Sequence, residues 1–232
     1  MRYTTLLMDA DETIFDFGKC EYFALKGTIE SYGLRFDERV HKTFSEINKD
    51  LWKEFEKNNI TNAQLRVQRF RELIAECFDG FEEASALSEE YISQLSRQAV
   101  LIDGAYEAVE KLSHDFTLYL ITNGISRVQR GRLARTEITR FFDDVFISDE
   151  MNVQKPKKEF FDIVLGSIEE KNKARILVVG DSLTSDMQGG RNAGLDTCLY
   201  DPSDRVALPD PLCDYKVGSL TDIFRIASEE KL

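Results

Sequence analysis

The chain has 232 residues, and its 42 Asp and Glu outnumber 30 Lys and Arg, leaving a formal charge of −12. That length supports one large domain, or a domain with a substantial insertion, and a core large enough to need no staples. The acidity repels polyphosphate backbones, so no nucleic-acid polymer is expected as partner, whereas a small phosphorylated metabolite held through a cation remains open.

Taken from the N-terminus, the chain turns acidic by Asp9, too early for a signal peptide. No apolar run approaches the ~20 residues of a membrane span, so no membrane partner is expected. Cys20, Cys77, Cys198 and Cys213 are scattered and form no CxxC pair, which reads as reduced thiols in a cytoplasmic protein. Residues 3–8 form a short apolar strand that runs straight into Asp9-Ala10-Asp11-Glu12-Thr13. Apolar spacings of three and four then predict helices over 19–32, 37–57, 62–78 and 89–98. Thr61 and Gln64 have the spacing of a capping box, and Ser88 before Glu89 and Glu90 reads as another helix start.

From about residue 100 the texture changes. Strands are predicted at 116–122, 144–148, 176–179, 197–200 and 215–217, with helices over 104–113, 127–136, 158–168, 186–193 and 220–227 between them. The continuous apolar run ILVV at 176–179 suits a strand covered on both faces. Strand and helix in alternation imply an α/β fold with a doubly wound parallel sheet. The core is then 1–17 and 100–232, and the helical block 18–99 is an insertion after the first strand.

In such sheets ligands bind outside the carboxyl ends of the strands. Four strand ends carry polar groups: Asp9 and Asp11, then Thr122 and Asn123, then Lys155, then Asp181 and Asp186. Each alone is weak, since about seven or eight acidic-x-acidic triplets are expected by chance at this acidity. Asp186 is also well placed simply to cap a helix. Their conjunction, in this order, is far more specific. A carboxylate can attack phosphorus and form an aspartyl phosphate, and Asp9 at the strand tip is the candidate nucleophile. Asp11 is placed to protonate the departing oxygen and later to deprotonate water. Mg²⁺ favours oxygen ligands, and Asp9, Asp181 and the backbone carbonyl of Asp11 would form part of its shell. Lys155, Thr122 and Asn123 would hold the phosphoryl oxygens, with Asp186 in support.

At these residues the chain resembles the haloacid dehalogenase (HAD) superfamily of phosphohydrolases. The DxDxT signature falls on Asp9, Asp11 and Thr13, the strand-end threonine on Thr122 in LITNG, the lysine on Lys155 in QKPKKEFF, and the acid pair on Asp181 and Asp186 in VVGDSLTSD. The resemblance spans nearly the whole chain. It implies a Rossmann-like core, the Mg²⁺-dependent aspartyl-phosphate route, and a helical cap that closes over the site. A narrower likeness is to the bacterial pyrimidine-nucleotide 5′-nucleotidases. It rests on DADETIFDF at 9–17, NKDLW at 48–52, NNIT at 58–61, RF at 69–70 and the LITNG region, with Glu12 where many relatives carry glycine. That likeness implies a nucleoside monophosphate such as UMP, dUMP or dTMP as substrate.

Within the insertion, Asn48 and Trp52 are candidate contacts to the base, although aromatics at helical spacing more often belong to a core. Hinges are expected near 17–19 and 99–104. A sugar-phosphate phosphatase or phosphomutase would reuse the same core residues, and a non-catalytic HAD-like binding protein is the remaining alternative. The dehalogenase branch needs no second aspartate, and a signalling receiver domain needs only about half this length. Gly180-Asp181-Ser182-Leu183 spells the motif of a serine esterase family, but no histidine follows Ser182 to act as its base. His41 and His114 read as solvated helix-surface residues, too few for most zinc hydrolases.

Overall fold

The structure, a computed structural model, describes residues 2–57 and 59–228. Strand β1 (Thr5–Asp9) is buried along its length, as expected of an apolar strand at the centre of a sheet. Four helices follow: α1 (Phe17–Ser31), α2 (Glu38–Glu56), α3 (Asn62–Cys77) and α4 (Ala84–Leu95). Then come α5 (Ala105–Ser113), β2 (Thr117–Thr122), α6 (Ser126–Leu133), β3 (Asp144–Ile147), the short α7 (Ser148–Met151) and α8 (Lys158–Ser167). The chain closes with β4 (Ile176–Gly180), α9 (Gln188–Ala193), β5 (Asp196–Tyr200), β6 (Tyr215–Val217) and α10 (Ile223–Ser228).

The sheet has six strands in the order β3-β2-β1-β4-β5-β6, and every pairing is parallel. This is the doubly wound α/β arrangement anticipated above. Leu6, Met8 and Leu120 pack into one apolar layer with α5 and α10, while Leu7, Ile121 and Val178 pack into the other with α8. Because β1 lies between β2 and β4, the loops after these three strands open at one sheet edge.

Helices α1–α4 build a third apolar core from residues such as Leu25, Phe44, Phe70 and Tyr91, joined by Ile125 and Val128 from the α6 region. Two linkers tie this insertion to the sheet. Asp16 N–H donates to Val100 O at 3.0 Å, Ile102 N–H donates to Ile14 O at 2.9 Å, and Phe15 stands antiparallel to Leu101. The crossing therefore lies at 14–16 and 100–102. Residues 17–19 already form the first turn of α1, capped by Asp16, which accepts from Lys19 N–H at 2.9 Å.

Several local readings need correction. Thr61 and Gln64 do form a reciprocal capping box, but α4 starts at Ala84, earlier than residue 89. Ser88 is buried inside α4 and donates its hydroxyl to Arg66 O at 2.9 Å, a tertiary contact that no local rule reveals. Helix α6 stops at Leu133 instead of reaching 136. His41 is half-buried, edge-on to Tyr22 with ring centroids 5.0 Å apart, whereas His114 is exposed at the end of α5. Asn58 of the NNIT stretch lies outside the described residues.

Candidate active site

At the end of β1 the Asp9 carboxylate is buried and accepts from Lys155 Nζ at 2.5 Å. The same ammonium donates to Asp186 Oδ1 at 2.6 Å and to Ile121 O at 3.1 Å. Carboxylate oxygens of Asp9, Asp181 and Asp186 lie within 4.8 Å of one another. Three carboxylates against one ammonium leave two negative charges in a region screened from water. The consequences follow from that excess. Burial, with Asp186, Asp181 and Asp11 adding repulsion, holds the Asp9 carboxyl well above the usual range despite Lys155. Burial and the charges of Asp186 and Glu12 push Asp181 up to about 7. For Lys155, burial alone would favour the neutral amine, but Asp186 and Asp9 outweigh it and keep the ammonium charged.

An all-oxygen set with two uncompensated charges suits a divalent cation. Asp186, expected only in support, stands in this carboxylate cluster, and the Asp11 side chain is not part of it. Sequence spacing alone does not reveal that Asp186 folds back. After Ser182 the chain makes a π-helical turn over Leu183–Met187, and Ser182 N–H donates to Asp186 Oδ2 at 3.2 Å. The return requires Gly180, since a Cβ there would sit 2.3 Å from Asp186 Oδ2. The Ser182 hydroxyl accepts from Ser185 N–H at 3.2 Å, a capping role unrelated to nucleophilic serine chemistry.

Asp11 is held by side chains that the sequence did not single out. Gln129 Nε2 donates to Asp11 Oδ2 at 2.7 Å and to Thr122 Oγ1 at 3.1 Å. Arg132 Nη1 pairs with Asp11 Oδ1. Thr122 Oγ1 also accepts from Gly124 N–H at 3.0 Å, so the hydroxyl is oriented from two sides. Asn123 exchanges two 2.9 Å bonds with the Lys155 backbone, and its side chain thus fastens two strand-end loops together. Glu12 adopts a left-handed φ of 58°, where a glycine would sit without strain, and its carboxylate accepts from Gly18 N–H at 2.9 Å. Thr13 is buried with its hydroxyl unpartnered. The spacing of Gln129 and Arg132 on one helical face was the available signal, but among Arg127, Arg130 and Arg135 it reads as a solvated basic helix.

The insertion meets this edge through polar contacts. Thr184 donates to Glu56 at 3.0 Å, Gln154 donates to Phe55 O at 2.9 Å, and Arg66 and Asn62 both donate to Asp149. Between them lies a cleft of about 410 Å³ lined by Phe55, Asn59, Thr61, Asn62, Asn152 and Gln154 among others. Trp52 is half-buried and packs edge-on against Phe55, with centroids 5.4 Å apart. Asn48 is buried inside the insertion. Its Nδ2 donates to Glu21 at 2.8 Å and its Oδ1 accepts from Arg69 at 3.2 Å, beside the unpartnered hydroxyl of Tyr91. Neither residue lines the cleft.

A family profile described as haloacid dehalogenase-like hydrolase matches residues 6–200. The HAD-hydrolase YfnB of Bacillus subtilis is 36% identical over 230 residues, 99% of this chain and 97% of that protein. The pyrimidine 5′-nucleotidase PynA of Streptococcus pneumoniae is 36% identical over 87% of this chain and 85% of its own length. The pyrimidine 5′-nucleotidase YjjG of Escherichia coli is 34% identical over 85% and 86%, respectively. A crystal structure of YfnB, described as bound to magnesium and as revealing interdomain movement, superposes with a TM-score of 0.92 over 99% of this chain and 100% of its own.

Proposed function

The chain belongs to the haloacid dehalogenase-like hydrolases, and from that premise we propose that it is a Mg²⁺-dependent pyrimidine nucleoside 5′-monophosphate phosphatase working through an aspartyl phosphate on Asp9. The observation that carries the chemistry is the meeting of Asp9, Lys155, Asp181 and Asp186 at one strand edge.

Asp9 attacks phosphorus, and the bond to the 5′-oxygen breaks as Asp11 delivers a proton to that oxygen. Water, losing a proton to Asp11, then attacks the phosphoaspartate, releasing phosphate and restoring the Asp9 carboxylate. Lys155 holds the incoming phosphoryl oxygens, and the Thr122 hydroxyl adds a hydrogen bond to them. Asp9, Asp181, Asp186 and the Asp11 backbone carbonyl would hold Mg²⁺, which when bound supplies the positive charge that lets a phosphate dianion approach a carboxylate. The pyrimidine preference is supported by the two nucleotidases among the relatives. The amide-rich cleft, which reaches the catalytic group only through Gln154 beside Lys155, is compatible with a neutral base.

A phosphatase screen over nucleotides and sugar phosphates tests the reading. Uridine and deoxythymidine monophosphates should rank first, EDTA should abolish turnover, and Asp9→Asn should lower kcat by at least about 10³-fold. Activity that survives chelation removes the metal from the reading. A sugar phosphate at the head of the ranking removes the base preference, and an active Asp9→Asn removes the nucleophile.

A further inference from the structure

We propose that Gln129 and Arg132 on α6 are positioning residues for Asp11, fixing the direction in which it gives and takes its proton. The inference rests on Asp11 being the acid and base of the reading above. Both oxygens of its carboxylate are held, one by each residue. Arg132 is fully buried, and its guanidinium lies 4.2 Å from the centre of the Phe15 ring. A buried arginine is costly unless paired, and the acidic partner it finds is a residue of the DxDxT signature. Its Nε has no partner, and neither does Gln129 Oε1. Arg132 also donates from Nη2 to Cys20 Sγ at 3.8 Å, a weak contact to α1, so the strong polar contacts of the two side chains are those to Asp11 and Thr122.

The neighbouring backbone is shaped to admit them. A Cβ at Gly124 would stand 2.2 Å from Gln129 Nε2, so the glycine of LITNG leaves the space this amide occupies. Because Gln129 donates to Asp11 and Thr122 together, it links the proton-transferring carboxylate to the hydroxyl expected on the phosphoryl group. Arg132 anchors the other oxygen of Asp11, leaving the carboxylate few orientations. A proton donor gains most of its effect from geometry of this kind.

The test compares kcat/KM, which reports steps up to release of the alcohol, for two esters. Uridine 5′-monophosphate loses an alkoxide and needs a proton, whereas p-nitrophenyl phosphate loses a stable phenolate and does not. Arg132→Met should lower kcat/KM for the nucleotide about 10- to 100-fold and for the aryl ester less than about 3-fold. Gln129→Leu should show the same selectivity at about 10-fold, and it keeps the test decisive if Arg132→Met fails to fold. Arg132→Lys should recover part of the nucleotide activity. Equal losses on both esters would mean that the two residues merely support the fold, and would overturn the inference. Asp11→Asn serves as the reference. If it is itself unselective, the acid role fails and this inference with it. If Asp11→Asn is selective and both α6 variants are not, only the inference fails.

Discussion

Asp181 is a residue whose behaviour should respond to both pH and metal. Without a cation, burial and the like charges of Asp186 and Glu12 raise its carboxyl from 3.8 to about 7. A folded value above the unfolded one means that the native state holds the proton more tightly, so stability falls as pH rises from about 4 to about 7 and stays low beyond. The metal-free protein should therefore melt several degrees lower at pH 8 than at pH 5.5, each kcal/mol being worth about 2–4 °C in a chain of this size. Mg²⁺ should raise the melting temperature more at pH 8 than at pH 5.5. Asp181→Asn should raise the metal-free melting temperature at pH 8 while abolishing turnover. A melting temperature flat in pH would refute the crowding of charge. Asp9, Asp11, Lys155 and Asp181 were legible in the sequence because each follows an apolar strand and the four occur in one order. Arg132 was not, because burial is invisible in a helix rich in arginine, and the fold-back of Asp186 depends on a π-turn with no sequence signature.

Among the elements, the loop from β1 into α1 carries a conflict that Glu12 resolves. Its left-handed backbone costs roughly 1 kcal/mol relative to glycine, while its carboxylate satisfies Gly18 N–H at the first turn of α1. Glu12→Gly exchanges one effect for the other and should shift stability by less than about 0.5 kcal/mol. Glu12→Ala keeps the strain and loses the bond, and should cost about 1 kcal/mol by urea denaturation. In α2, Trp52 supports Phe55, a wall of the cleft. Trp52→Ala should raise KM for nucleotides about 3- to 10-fold and hardly alter it for p-nitrophenyl phosphate. Equal effects would assign Trp52 to packing. The periodicity of the insertion correctly indicated helices, because amphipathic spacing is a local property. The start of α4 departs from the local pattern, because Ser88 is satisfied by Arg66 O from a neighbouring helix and not by its own backbone.

At the scale of the whole molecule, insertion and sheet meet through two kinds of contact. Near α6 the contact is apolar, through Ile125 and Val128, while the cleft edge is joined by Arg66, Asn62 and Asp149. The Arg66–Asp149 pair is partly exposed, and such pairs are worth at most about 1 kcal/mol. Asp149→Ala should leave the melting temperature within a few degrees while enlarging the radius of gyration in small-angle scattering and raising KM. An unchanged scattering profile would show that the apolar contact and the Thr184–Glu56 and Gln154–Phe55 bonds hold the two parts together without Asp149. The parallel sheet was legible from alternating apolar runs. The way the insertion rests on it was not, since the contacts join residues remote in sequence.

The antiparallel crossing at Phe15 and Leu101 has a further consequence. A detour of more than eighty residues leaves and returns through one antiparallel bridge beside the sheet, so its removal or exchange need not stretch the chain on either side. Recombinants carrying a homologue's helices on this scaffold should keep the phosphoryl-transfer apparatus and inherit the donor's taste in substrates. Such chimeras must retain apolar side chains to cover Ile125 and Val128, and must supply new partners for Asp149 and Arg132 where Asn62, Arg66 and Cys20 are lost.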